Sequence, residues 1–197
     1  MSVRGVLQVH SAPPALCPHI EWAVAGIIGV LVRLSWVDQP ASPGTLRAEL
    51  DWQARPGTSA TITSALAAWH RLRFEVTEEA SPGCDAVRYS CTPTLGTFSA
   101  VTSACGDILV PEGRLRAAML LAAASAPGVP GRAQGDGPAA NGHLDSLRDA
   151  HGPRHPALGG SLEAELKLLL GQPWDDELEP FRHAADGAPV RWLHATG

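Results

Sequence analysis

Lysine is almost missing from this chain: of its 15 basic residues only Lys167 is a lysine. Together with the abundance of Ala, Gly and Pro, that bias is the signature of a GC-rich genome and carries no mechanism. Positive charge as a whole is scarce. The 15 basic residues face 20 acidic ones, a net charge of -5, the wrong sign for neutralising a phosphate backbone, so nucleic-acid binding is not expected. Long hydrophobic runs are absent too, since the longest, residues 23–32, falls well short of the ~20 residues that a membrane span needs. No secretory h-region follows the first residues, and the four cysteines (Cys17, Cys84, Cys91, Cys105) include no C-x-x-C pair. A cytoplasmic protein with reduced thiols is the expectation. A Gly-rich phosphate loop, a Gly-x-Ser-x-Gly elbow and a His-Glu-x-x-His helix are all missing, which removes the most recognisable nucleotide, hydrolase and zinc-protease sites. No cofactor is expected, and no reaction can be read directly.

Glycine and proline, by contrast, are in excess: 20 and 17 residues of 197, against an average usage nearer ~12% for the two together. The excess is partly pooled. Residues 125–160 contain 8 Gly and 5 Pro in 36 residues with little that is apolar, the composition of a disordered insertion. Residues 1–124 and 161–197 are then expected to form one domain around it.

Within that domain the apolar periodicity predicts an ordered series of elements. Residues 5–11 read as a strand stopped by Pro13-Pro14. Leu16, Ile20, Val24, Ile27 and Ile28 follow at helical spacing, with Pro18 tolerable only in the first turn. Val32, Leu34 and Trp36 alternate with polar residues, and so, more cleanly, do Leu46, Ala48, Leu50 and Trp52, which predicts a hairpin. Thr58 or Ser59 can cap a second helix carrying Ile62, Leu66 and Trp69, and 71–77 read as a further strand. The order β-α-β-β-α-β is that of the split ferredoxin-like sandwich. The expected fold is therefore α+β, an antiparallel sheet with helices packed on one face, extended by strands at 85–92 and 97–103, helices from Pro111 and from Leu162, a helical turn around Trp174, Leu178 and Phe181, and a last strand at 189–194.

Few residues suggest chemistry. Cys17 opens the first helix, where free N–H groups and the backbone dipole lower a thiol's pKa. His19 or His10 can serve as its base, giving a candidate acyl-transfer or thioester-hydrolysing centre; a buried cysteine packing as a small hydrophobe is the plainer reading. The polar turn containing Ser103 and Asp107 precedes a helix and is a candidate anion site. His143, His151 and His155 fall in the Gly/Pro-rich segment, and no metal site is expected from them. The acidic run Asp175-Asp176-Glu177-Leu178-Glu179 reads as a solvated helix start, and Arg73 to Glu79 as a strand with a charged outer face. Of the six tryptophans, Trp22 alone lies off the apolar stripe of its helix.

Several strings taken together resemble the actinobacterial domain-of-unknown-function family 3145. They are His10-Ser-Ala-Pro-Pro-Ala-Leu-Cys-Pro-His-Ile-Glu-Trp-Ala23, Val32-Arg-Leu-Ser-Trp36, Leu72-Arg-Phe-Glu-Val-Thr-Glu78, Thr102-Ser-Ala-Cys-Gly-Asp-Ile108 and the closing Trp174-Asp175 and Val190-Arg-Trp-Leu-His194. The resemblance covers most of the chain outside 125–160. At the position of Cys105 the family commonly carries Asn, which speaks against a role for that thiol. The resemblance implies an intracellular actinobacterial protein and an association with type II fatty-acid synthesis, with acyl carrier protein or a carboxylase or synthase subunit as candidate partner. Docking of such an acidic partner would need a local arginine patch such as Arg71, Arg73, Arg114 and Arg116. The reading that these observations favour is a non-enzymatic binding or regulatory module taking a protein partner or a small acyl ligand. A small enzyme built on Cys17 with His10 or His19 is the alternative.

Overall fold

The computed structural model describes residues 2–125 and 161–183. Seven strands, β1 (Val3–Ala12), β2 (Val37–Asp38), β3 (Leu46–Ala54), β4 (Arg73–Glu78), β5 (Ala86–Thr92), β6 (Gly96–Thr102) and β7 (Ile108–Leu109), form a single sheet in the order β2-β3-β1-β4-β5-β6-β7. Every neighbouring pair is antiparallel. Five helices accompany it: α1 (Cys17–Ile28), α2 (Thr58–Ala67), α3 (Glu112–Ser125), α4 (Leu162–Leu169) and α5 (Gln172–His183). The protein is thus α+β, as its periodicity predicts. The strand expected at 189–194 and the insertion at 126–160 lie outside the described residues.

Strand alternation sorts the side chains into two layers. Leu7 and Val9 on β1, Phe74 and Val76 on β4 and Cys91 on β5 share one face with Ile20 and Val24 of α1 and Ile62 and Leu66 of α2, and this is the main core. Trp52 belongs to it as well. Its indole lies across Gly5, where an added Cβ would sit 2.2 Å from both the ring and the Thr77 carbonyl oxygen, so only glycine fits at that crossing. The opposite face carries Phe98 and Ala100, which pack with Trp174 of α5; the Phe98 and Trp174 ring centroids are 5.2 Å apart.

Helices therefore cover both faces of the sheet, and the expectation of one covered face holds only for α1 and α2. The charged "outer face" of β4 is the floor under α5.

Two further expectations change for local reasons. Among the described residues the alternating segment Val32–Trp36 pairs with no strand, because Glu21 of α1 takes its polar groups instead: Leu34 N–H and Trp36 Nε1–H donate to Oε1 at 3.0 and 3.1 Å, and Arg33 donates to Oε2 at 3.2 Å. The backbone N–H from Leu34 in particular holds the Glu21 carboxyl below its ordinary value despite some desolvation. Nor do the Thr58 and Ser59 side chains cap α2. The Glu78 carboxylate of β4 reaches across and accepts from Gly57 N–H at 2.7 Å and Ser59 N–H at 2.9 Å, placing a negative charge at the positive end of the helix.

Of the tryptophans, Trp52 and Trp174 are buried, while Trp22 is 79% exposed, in keeping with its place off the helix stripe. No helix among the described residues is long and apolar enough to cross a membrane.

Candidate functional site

Cys17 is buried at the start of α1, and its thiol donates to the Pro13 carbonyl at 3.7 Å. Burial first, and then the Glu21 charge, push the thiol up from its ordinary value, opposite to the activation that a helix N-terminus suggests. His10 is drawn away from it. β1 carries a bulge between Val9 and Ser11, one extra residue that re-aims the local side chains, and the His10 ring turns to the α5 face to meet Glu75 at 2.8 Å. His19 stands exposed on α1. The three residues are not assembled into a thiol–imidazole pair.

The arginine and turn candidates disperse as well. Arg71 is exposed, whereas Arg73 pairs with Glu177 at 3.1 Å and lies over the Phe181 ring at 4.7 Å. Arg116 pairs with Glu112 along α3. Ser103 Oγ accepts from Cys105 N–H and Asp107 N–H, so its acceptor closes the turn between β6 and β7, and β7 intervenes before α3. Asp107 is exposed in that turn. Among the described residues no group of three or more His, Cys, Asp or Glu side chains is placed to hold a metal ion.

What the structure does assemble is an ionic clasp between the sheet and α5. Glu75, with 5% of its side chain exposed, accepts from His10, from Arg88 Nε (3.0 Å) and Nη2 (2.7 Å), from Ser90 Oγ (3.1 Å) and from Arg182 Nε (2.9 Å) and Nη2 (2.8 Å). Asp175 joins both guanidinium groups. Burial alone would push the Glu75 carboxyl up; the hydrogen bonds and charge of His10, Arg182 and Arg88 outweigh it and hold the group well below the carboxylate range. Arg182 is desolvated too, but Glu75 and Asp175 raise it further still above its usual value. Gln39 completes the clasp by donating to the backbone oxygens of His10 and Phe181. Two carboxylates against two guanidiniums, each with partners, make a satisfied network. Its chemistry is that of a fastening.

The opposite face offers an opening. Small residues on one side of α2, Ala60, Thr63, Ser64 and Ala67, face Tyr89 and Cys91 of β5 and the 92–97 hairpin turn across a groove of about 610 Å³, inside the range of small-molecule sites. Where Leu or Ile would fill the interval between helix and sheet, these side chains leave it empty. Leu66 and Leu72 form its apolar base. Thr63 is only 4% exposed, and its Oγ1 is buried with no hydrogen-bond partner. His70, at the mouth, is the one non-glycine residue with positive φ (52°) among the described residues, a conformation that costs energy and is concentrated at functional sites. Cys91 accepts from Thr97 Oγ1 at 3.5 Å, and burial pushes its thiol up, with the Glu177 charge adding to it. Among the described residues no Asp, Glu, Lys or Arg lines this groove.

Neither the groove nor the clasp is apparent from the sequence read alone. The signal for the clasp was present: Trp174, Leu178 and Phe181 form a stripe at i, i+4 and i+7, and Asp175 and Arg182 flank it on one edge.

The frame is an antiparallel α+β sheet with a helical layer on each face. The family model described as "Protein of unknown function (DUF3145)" matches residues 6–153 and 145–195, running into the Gly/Pro-rich segment from both sides, and the chain belongs to that family. No curated protein and no solved structure matches it.

Proposed function

We propose that the chain is a non-enzymatic binding or regulatory module that takes a small, largely apolar ligand of the acyl type in the groove between α2 and the β5–β6 hairpin. The observation that carries this reading is a groove of about 610 Å³ with an unpartnered buried hydroxyl, Thr63 Oγ1, in its wall. A desolvated hydroxyl without a partner costs roughly 1–3 kcal/mol, and rotation about χ1 lets Thr63 offer it to a ligand instead. The described lining, free of Asp, Glu, Lys and Arg, favours an uncharged body, with Ser64, Tyr89 and Thr97 available to one polar end. An acyl ligand also suits the link to fatty-acid synthesis that the family resemblance implies, in an actinobacterial, cytoplasmic setting. The strand order β2-β3-β1-β4 with α1 and α2 on one face supports a ferredoxin-like core to which β5–β7 add the hairpin wall.

Titration with Nile red, an uncharged apolar fluorophore, tests the reading. The expected result is saturable blue-shifted emission, displaced by decanoate. Ser64 is exposed on α2, so Ser64→Trp fills the groove without burdening the core and weakens the dye by at least about tenfold. Binding that is absent, or indifferent to Ser64→Trp, overturns the proposal.

A further inference from the structure

The hairpin turn that walls the groove is held from behind by α5. Thr92 and Thr94 both line the groove, and both hydroxyls donate to Glu177, Thr92 Oγ1 to Oε2 at 2.8 Å and Thr94 Oγ1 to Oε1 at 3.3 Å. Arg73 of β4 anchors the same carboxylate at 3.1 Å. Thr92 Oγ1 in turn accepts from Leu95 N–H at 3.0 Å, closing the turn. Trp174 adds another grip by donating Nε1–H to the Gly96 carbonyl at 3.0 Å. At the start of the helix Gly171 is pressed so closely on Phe98 that an added Cβ would lie 2.4 Å from the ring. The turn is thus gripped by α5 on one side and open to the groove on the other.

We infer that α5 sets the width of the groove through this turn, with Glu177 as the positioning residue, so that occupancy of the groove and docking of α5 are coupled. The inference rests on the groove being the binding site. With α5 docked, Thr92 and Thr94 hold the wall in the geometry that receives a ligand; with it undocked, the turn is free to move and the wall is lost. Linkage makes the effect reciprocal: whatever binds the docked form better must tighten α5 on the sheet by the same factor. The carboxylate is the group through which this passes, because it joins Arg73 on the sheet to both threonines of the turn.

Nile red is again the probe. Glu177→Leu removes every hydrogen bond that the carboxylate accepts and weakens the dye about tenfold, while Glu177→Gln, which keeps an acceptor for Thr92, restores most of that loss. In the unsubstituted protein, saturating Nile red slows amide hydrogen exchange across α5 (Gln172–His183) and leaves the last turn of α1 unchanged. If Ser64→Trp abolishes dye binding while Glu177→Leu binds like the unsubstituted protein and α5 exchange does not respond, the groove stands and the coupling falls. Should circular dichroism show Glu177→Leu to be unfolded, exchange in the unsubstituted protein decides by itself. No dye binding at all removes both proposals.

Discussion

The two faces of the sheet are held by opposite physics. Against α1 and α2 the contact is apolar, Leu7, Val9, Phe74 and Val76 meeting Ile20, Val24, Ile62 and Leu66, and it tolerates polar atoms with no partner at Ser59, Thr63 and Trp52. Against α5 the contact turns on a buried carboxylate with six hydrogen bonds from four residues. Apolar burial is non-directional, so α2 can pack on the sheet through Ile62 and Leu66 while the small residues beside them leave a groove. A buried ionic network is directional and costly to break, so it fixes α5 in one place. The molecule keeps its space on the forgiving face and its registration on the strict one.

Neighbouring residues of β4 allow that contrast to be broken most sharply. Glu75→Leu takes from Arg88 and Arg182 the buried carboxylate that they share and is expected to cost about 3–5 kcal/mol. Phe74→Ala, one residue away on the other face, empties the core by a similar amount, about 3–5 kcal/mol. Urea unfolding measures both. Equal losses arise by different routes, which acid separates.

Because the folded-state pKa of Glu75 is depressed from its ordinary 4.5, its contribution is fully present above that value and is lost progressively as pH falls toward the folded pKa. Unsubstituted protein and Phe74→Ala should therefore both lose stability on acidification below about pH 4.5, along nearly parallel curves. Glu75→Leu should show a shallower slope over the same window. A Glu75→Leu curve parallel to the other two would mean that the clasp is not the acid-sensitive element.

Much of the apolar face was legible in the sequence, because alternation on β1 and β3 and the 3.6-residue spacing on α1 report burial directly. The alternation of Val32–Trp36 misled because periodicity cannot see Glu21, whose carboxylate accepts the N–H that a sheet partner would otherwise take. The α5 face was harder. Arg73, Glu75 and Thr77 alternate with apolar neighbours as a solvated face would, and Thr77 is indeed exposed; only α5, about a hundred positions later, covers Glu75 and half-buries Arg73 through Arg182 and Glu177. The acids of the run 175–179 looked alike in sequence, yet Asp175 and Glu177 flank the buried stripe while Asp176 and Glu179 are exposed. The groove left no positive mark, being a volume that Ala60, Ser64 and Ala67 fail to occupy. For Cys17 the sequence shows the helix position that suggests activation, while the burial that pushes the thiol up is set by the fold around it.

The smallest expected effect is the most discriminating, because the same chemical deletion should change sign between the faces. Ser90 Oγ donates to Glu75 at 3.1 Å, so Ser90→Ala removes a charge-assisted bond and should destabilise by about 1–2 kcal/mol. Thr63 Oγ1 has no partner, so Thr63→Val exchanges a desolvated hydroxyl for a methyl of nearly the same shape. Thr and Val have similar helix propensities, which leaves solvation as the term that changes. Stability should stay level or rise by about 1 kcal/mol, measured as a shift in the urea midpoint at constant m. If Thr63→Val instead loses as much as Ser90→Ala, the hydroxyl is already satisfied, and the α2 face lacks the unspent polar group that sets it apart from the clasp.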